Sequence, residues 1–534
     1  MNGANKIIKI LEKENVKNIF GYPGGAVLPI YNSLKNSSIK HTLVRHEQAA
    51  IHSASGYALS TNEVGVCIAT SGPGATNLIT GIANAYMDSI PVIILTGQVP
   101  TNSIGLDTFQ EADIIGATQA FTKHSFLIKN KENIGKVFKQ AFHIATTGRK
   151  GPVLIDIPTN IQKQDVNFNY PTNINLKGYK PTIDGNENQI QKAFEKINKS
   201  TKPLLCVGNG IILSNSQKNL KTFVDKTQIP LVTTLKGKGG FSEKNKFFQG
   251  IIGSHGNKSA NNLIEKADLL IIIGMSISTR TKNDFNLKDK SIIHIDIDPA
   301  EIGKKVSSSI PIIGDAKNII KKFNKYNYNI NIKWNKNIFK NNYKLNDYIG
   351  YNSNVSSKLS EISDKLDEDC IFIADVGNNQ ISAAHNLKTF KKRKFFTSGG
   401  LGTMGFSLPA GIGAKTANPE KQVLVVIGDG GFQMVYNELI TLYENGLNIK
   451  ILLIDNNALG MVKDLQKNHY DETFGVDFKK SPDFSKICEA NFIKYINLTK
   501  KSIDEFVNSK QIVLGHLSIK EVENEQTHFS INSK

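Results

Sequence analysis

The sequence predicts an α/β protein made of three consecutive doubly wound parallel-sheet domains. Three observations lead there. Short runs rich in β-branched residues, such as Val64 to Ala69, Leu269 to Ile273 and Val423 to Ile427, are apolar on both faces, as buried parallel strands must be. Segments with helical apolar spacing alternate with them. Two polar stretches, Gln164 to Asn188 and Phe323 to Tyr351, read as connectors and divide the 534 residues into blocks 1–163, 189–325 and 354–534.

In the first block, Leu43-Val44 ends a short strand and Glu47 opens a helix. Val64 to Ala69 is a strand, Ser71-Gly72-Pro73-Gly74 a tight turn, Ala75 the start of a helix, and Val92 to Leu95 the returning strand; Val153 to Ile157 is another. The second block has strands at Leu204 to Val207, Leu269 to Ile273 and Ile292 to Ile295. The third has strands at Ile371 to Ala374, Lys421 to Ile427 and Ile449 to Ile454, with a glycine turn at Gly428 and a helix predicted over Phe432 to Asn445 from Phe432, Val435, Leu439 and Leu442. The first and third blocks share the plan strand, glycine turn, helix, strand, a weak internal repeat.

Bulk properties exclude several classes. Hydrophobic content of 40% and charged content of 21% fit a soluble globular chain. The apolar runs are far shorter than the ~18 residues that span a bilayer. Met1 to Leu11 is an amphipathic, lysine-bearing helix start without a signal-peptide core, so a cytoplasmic location is expected. Cys67, Cys206, Cys370 and Cys488 form no close pair and are expected to be reduced thiols. The net charge of +18 suggests nucleic acid, but only Arg45, Arg149, Arg280 and Arg393 among 65 basic residues are arginine. The lysines are scattered, and no basic stripe with interleaved aromatics is present, so neither a nucleic-acid nor a membrane partner is expected.

The most informative motif is Gly428-Asp429-Gly430-Gly431, with Asn456 following 27 residues after Asp429. A strand, a returning helix and a second strand bring both residues to one carboxyl edge of a sheet, where α/β proteins bind ligands. The helix start near Gly431 directs free N–H groups there. An Asp oxygen, an Asn carbonyl and a bound diphosphate would suit Mg²⁺. The plain alternative is a glycine turn with Asp429 as a helix cap.

Five further segments stand upstream in order: Phe20-Gly21-Tyr22-Pro23-Gly24-Gly25-Ala26, Val44-Arg45-His46-Glu47-Gln48-Ala49-Ala50, Thr70 to Asn77, Gly97-Gln98-Val99-Pro100 and Phe109-Gln110-Glu111-Ala112-Asp113. Alone, each could be a turn or a helix start, and Glu47 a first-turn helix carboxylate. Together with the glycine-aspartate motif they resemble the thiamine-diphosphate-dependent 2-keto-acid enzymes, and among these the acetolactate synthase large catalytic subunits. The likeness is specific over residues 1–161 and 395–463, looser in the middle block and poor after about residue 500.

The resemblance implies a pyrimidine-binding first domain, a central Rossmann-like domain and a diphosphate-binding third domain. It implies that Glu47 activates the coenzyme, with Gly25 and Gln110 as catalytic neighbours and Phe109 a pocket wall. Pro23, Asn77, Asn378, Asn379, Gly402, Met404, Gly428, Asp429, Gly430, Gly431, Asn456, Gly460 and Met461 match coenzyme-binding positions. Met404 would wedge between the two coenzyme rings, against the alternative of a core-filling Met. Asp429, Asn456 and the main-chain oxygen of Ala458 would ligate Mg²⁺. Arg149, His255, Asp296 and Asp315 match flavin contacts, so a structural FAD is implied, against a flavin-free spacer. Arg280 matches the reader of a substrate carboxylate.

Three departures stand out. Asp455 replaces the first Asn of a usual pair, Asn378-Asn379 replaces a Gln-His pair, and Leu465 replaces a Trp tied to acceptor choice. The implied activity is carboligation of pyruvate with a second 2-keto acid, in a homodimer or homotetramer with interfacial active sites and a regulatory small subunit as candidate partner. The alternatives are another decarboxylase or carboligase of this type, or a non-catalytic flavin- or diphosphate-binding regulatory protein.

Overall fold

The computed structural model describes residues 1–282, 285, 287, 290–334, 338, 347–348 and 352–519. The last part of the third predicted block, 520–534, lies outside the described residues. Three six-stranded sheets organise the chain, and every strand pairing within them is parallel. The first contains β1 (Asn18–Gly21), β2 (Lys40–Leu43), β3 (Gly65–Ala69), β4 (Val92–Gln98), β5 (His124–Leu127) and β6 (Val153–Pro158), in the order β2-β1-β3-β4-β6-β5. The second contains β7 (Pro203–Val207), β8 (Leu231–Thr233), β9 (Phe248–Ile251), β10 (Leu269–Ile273), β11 (Ser291–Asp296) and β12 (Ile310–Ile313), in the order β12-β11-β10-β7-β8-β9. The third contains β13 (Ile371–Ala374), β14 (Lys394–Thr397), β15 (Val423–Gly428), β16 (Lys450–Asp455), β17 (Lys494–Asn497) and β18 (Val513–Ser518), in the order β14-β13-β15-β16-β18-β17.

The first and third sheets therefore repeat one topology, strand for strand. The second has the dinucleotide-binding order, in which the winding direction switches between its first and fourth strands. β3, β4, β7 and β10 are buried along their whole length, in keeping with their unbroken apolar runs. All four cysteines are free and buried.

Two compact units divide the chain. One comprises Met1–Tyr179, Ile373–Asn379 and Thr397–Lys534; the other comprises Lys180–Phe372 and Gln380–Phe396. Within the first unit, helix Glu47–Thr61 packs on helix Ser407–Ala417 at backbone contact. A Cβ on Gly56 would lie 2.0 Å from the Ala410 oxygen, and one on Gly413 would lie 1.8 Å from the Ser53 oxygen. Only glycine permits that approach.

The single helix predicted over Phe432 to Asn445 is divided in three: Asp429–Gln433, a 3₁₀ turn at Tyr436–Glu438, and Leu439–Glu444. Phe432, Leu439 and Leu442 are buried as that spacing predicts, whereas Val435 is only half-buried. The break lets Glu438 turn inward and accept the Arg45 N–H at 2.8 Å, a bond across 393 residues that local periodicity does not register.

Candidate active site

β15 and β16 run side by side in register from Leu424↔Lys450 to Gly428↔Ile454. The residues leaving their carboxyl ends, Asp429 and Asn456, therefore emerge together. Asp429 is 2% exposed, yet its Oδ2 has no hydrogen-bond partner. Burial, then the hydrogen bond and charge of Asp455, push its carboxyl up to about 7. Burial also opposes ionisation of Asp455, but the bonds from His516 and the Asn457 N–H hold that group below its ordinary value. Asn456 Oδ1 accepts the Ala458 N–H at 3.3 Å. A Cβ on Gly460 would lie 2.4 Å from Asn456 Nδ2, so glycine is required to seat that amide. A buried carboxylate with one unclaimed oxygen beside an amide oxygen fits a hard cation such as Mg²⁺. Among the described residues no cluster of three or more His, Cys, Asp or Glu could hold a metal alone. The remaining ligands would have to come from backbone and coenzyme oxygens.

Met404 stands over this edge. A Cβ on Gly430 would meet the Met404 ε-methyl at 3.2 Å and Leu459 at 2.8 Å. The segment carrying Met404 is tied down by groups that local sequence reasoning missed. Asp375, fully buried after β13, accepts the N–H groups of Gly405 at 3.0 Å through Oδ1 and of Ser407 at 2.9 Å through Oδ2. Burial raises its pKa against the pull of these bonds. Asp88 accepts the N–H groups of Gly399 at 3.2 Å and Gly400 at 2.9 Å. Asn84 accepts the hydroxyls of Ser398 and Thr403. Gly402 and Gly405 have φ of +77° and +80°, so the segment needs glycine at both. An acid closing β13 as Asp429 closes β15 was the available signal for Asp375; Asp88 gave none.

Glu47 is the first residue of its helix, capped by His46, whose Nδ1 accepts the Gln48 N–H at 3.1 Å. Its Oε2 accepts the Asn77 amide at 2.9 Å. Its Oε1 faces Gly74, where a Cβ would come within 3.3 Å. The two motifs thus meet in space: the turn after β3 supplies both Asn77 and the gap at Gly74. Gly25 and Pro23 are exposed, and nothing lies within 4 Å of where a Gly25 Cβ would point. Gln110 has φ of +59°, and its backbone lies against Gly72. Phe109 is 86% exposed. Among the described residues, no hydrogen bond joins the Glu47 cluster to the Asp429 cluster.

The remaining candidates are placed as follows. Asn378 donates to Asp464 at 2.9 Å, and Asn379 donates to the Asp375 carbonyl at 2.8 Å. Met461 is half-buried and Leu465 is 52% exposed on helix Gly460–Tyr470. Arg149 donates through Nε to Ser89 at 2.9 Å. In the second unit, burial and the nearby Arg280 charge lower the pKa of His255. Asp296 Oδ1 accepts the Asp298 N–H, and Asp315 Oδ1 caps helix Ala316–Phe323. At the switch point a Cβ on Gly208 would lie 2.2 Å from the Gly274 oxygen. The backbones after β7 and β10 thus pack directly on each other at that point, and Asp296 ends the neighbouring strand β11.

Family comparison agrees with this geometry. Residues 1–117 match the thiamine pyrophosphate enzyme N-terminal TPP binding domain, 190–323 the central domain, and 375–516 the C-terminal TPP binding domain. The chain belongs to the thiamine pyrophosphate enzyme family. Within that family it is 45% identical to a probable acetolactate synthase large subunit of Methanocaldococcus jannaschii, over 92% of this chain and 87% of that protein. It is 42% identical to the acetolactate synthase large subunit of Buchnera aphidicola subsp. Schizaphis graminum, over 97% and 93% of the two chains. The corresponding protein of Corynebacterium glutamicum is 41% identical, over 94% and 83%. The two sheets that share one topology lie largely in the N-terminal and C-terminal TPP binding domains, and no helix among the described residues is long and apolar enough to cross a membrane.

Proposed function

We propose that this chain is the catalytic subunit of an acetolactate synthase, converting two pyruvates to 2-acetolactate and CO₂ in branched-chain amino-acid synthesis. The observation that carries the reading is Glu47, with one oxygen fixed by Asn77 and the other left over the gap at Gly74. A protein that only held a diphosphate would need the Asp429 edge but not this carboxylate. The relatives' name, acetolactate synthase large subunit, supports the same activity.

When bound, thiamine diphosphate supplies the nucleophilic carbon and the electron sink that decarboxylation of a 2-keto acid requires. Glu47 would hold and move a proton at the pyrimidine ring, the task of a positioned general acid–base. Asp429, Asn456 and the Ala458 carbonyl would hold Mg²⁺ against the diphosphate. Met404, on its pinned segment, would set the bent shape of the coenzyme. Gly25, Gln110 and Phe109 would border the substrate. FAD would be structural and rest on His255 and Asp296. The blocks 1–163, 189–325 and 354–534 would then be the pyrimidine, flavin and diphosphate domains.

We take the working assembly to be a homodimer or homotetramer with active sites between subunits. Phe109 and Phe474, 86% and 90% exposed, are large apolar rings left uncovered in one chain. The words "large subunit" in the relatives' names make a regulatory small subunit a candidate partner. We place the enzyme in the cytoplasm.

The test is an assay of the purified protein with pyruvate, thiamine diphosphate and Mg²⁺, with and without FAD. Acetolactate is the expected product. Acetaldehyde as the main product would instead indicate a decarboxylase, and no turnover in any combination a binding protein. With Leu465 in place of Trp, competition between pyruvate and 2-ketobutyrate should show only a weak preference for the latter. Bound flavin would be read from absorbance near ~450 nm.

A further inference from the structure

Asp455 has no part in the site as assigned above, yet it lies against it. It ends β16, one residue before Asn456, and is 5% exposed. Its Oδ1 accepts the Asn457 N–H at 3.0 Å, and its Oδ2 lies 3.1 Å from His516 Nε2. His516 Nδ1 lies 2.8 Å from the Tyr495 hydroxyl, and the Phe484 ring meets the imidazole edge-on at 5.3 Å. His516 stands on β18 and Tyr495 on β17, so three adjacent strands contribute one row of side chains: Tyr495, His516, Asp455. With Nε2–H donating to Asp455, Nδ1 accepts the tyrosine hydroxyl, which the neutral imidazole allows.

At the end of that row stands Asp429, 98% buried by its 2% exposure and with Oδ2 unpartnered. The register that pairs Gly428 with Ile454 brings Asp429 and Asp455 out side by side, and two buried neighbouring carboxylates, one with an oxygen that has no hydrogen-bond partner, form an arrangement that folding alone does not favour. A divalent cation resolves both the like-charge contact and the unclaimed oxygen.

We propose that Asp455, anchored by His516 and the Asn457 N–H, is a positioning residue that places a second negative charge behind Asp429, so that the protein binds a divalent cation before the coenzyme arrives. The proposal rests on the reading that Asp429 and Asn456 hold Mg²⁺. With Asp429 alone, most of the counter-charge would have to come from the diphosphate, and cation and coenzyme would bind together. With Asp455 behind it, the protein itself brings two carboxylates. Outer partners of this kind typically change metal affinity by ~10–100-fold.

The experiment uses full-length wild type and D455N stripped of metal, titrated with Mn²⁺ while free Mn²⁺ is read by electron paramagnetic resonance, with and without thiamine diphosphate. Wild type should take up one Mn²⁺ per chain without the coenzyme, and D455N should bind about tenfold more weakly or worse. The gap should narrow once the diphosphate contributes its own charge. In metal-free buffer D455N should melt no lower than wild type, because a like-charge neighbour of Asp429 has gone. A merely structural Asp455 predicts the opposite: a lower melting temperature with unchanged affinity. A second variant, H516Q, loosens the anchor without changing the carboxylate count, and should weaken Mn²⁺ binding by a smaller factor. It supplies the same comparison if D455N does not fold. Equal Mn²⁺ affinity in wild type and the variants overturns the role of Asp455 alone. Wild type that takes up no Mn²⁺ even with coenzyme overturns the magnesium reading, and this proposal with it.

Discussion

Glu438 offers a test of how the segment before Glu47 is held in place. It is fully buried, its Oε1 accepts the Arg45 N–H at 2.8 Å, and its Oε2 accepts the Thr441 hydroxyl at 2.8 Å. Burial raises its carboxyl from 4.5 to about 7, against the bonds from Thr441 and Arg45. The sign follows from linkage. The folded state binds this proton more tightly than the unfolded chain, so the contribution is complete below the unfolded value and is lost as pH rises through about 7. A shift of that size corresponds to roughly 3 kcal/mol between the two ends of the window. The variant E438Q removes the titration and keeps the geometry: its carbonyl accepts the Arg45 N–H, and its amide donates to Thr441. Its stability relative to wild type should therefore rise between pH 5 and pH 8 by up to ~3 kcal/mol, read as the difference in urea midpoints by circular dichroism. Taking the difference cancels other groups that titrate in the same range. E438A, by contrast, strands a buried N–H at a cost of ~1–3 kcal/mol and should lower turnover, because Arg45 lies two residues from Glu47. An E438Q-minus-wild-type difference that is flat with pH, or that falls, would refute the argument.

E47Q should lower carboligation by about a hundredfold or more, with an unchanged melting temperature, since glutamine keeps an oxygen for the Asn77 amide. M404A should lose most of the activity while remaining folded, and M404L should retain it, because the volume is nearly conserved; steady-state rates beside melting curves decide this. G413A should be among the most destabilising single changes in the first unit. Its Cβ would lie 1.8 Å from the Ser53 backbone oxygen, where no flexible side chain can move aside. A loss of ~1–3 kcal/mol or failure to express as soluble protein is expected.

What could be read from the sequence, and what could not, divides along one physical line. The strands β3, β10, β15 and β16 were legible because burial on both faces leaves an unbroken apolar run. The pairing of Asp429 with Asn456 was legible because a strand, helix, strand unit has few ways to close. Features held by side chains reaching distant backbone were not. Asp375 ties Gly405 and Ser407 across 30 and 32 residues, Glu438 ties Arg45 across 393, and Asp455 meets His516 across 61. None of these bonds leaves a local period, and each shapes a loop or a charge, not an element.

The repeated topology accounts for why the Glu47 and Asp429 clusters share one unit. In each sheet of order 2-1-3-4-6-5, the helix after the second strand leads into the central third strand. In the first sheet that helix is Glu47–Thr61 and opens with the Glu47 carboxylate. In the third it is Ser407–Ala417 and follows directly on Met404 and Gly405. These two equivalent helices pack on each other through Gly56 and Gly413, each glycine admitting the backbone of the other helix. In each sheet the turn after the third strand then supplies a glycine at the site, Gly74 beside Glu47 and Gly430 beside Met404. A pseudo-twofold relation between the sheets is thus built into the contact that holds them together. A side chain added at either helix glycine would shift both the Glu47 and the Met404 ends at once.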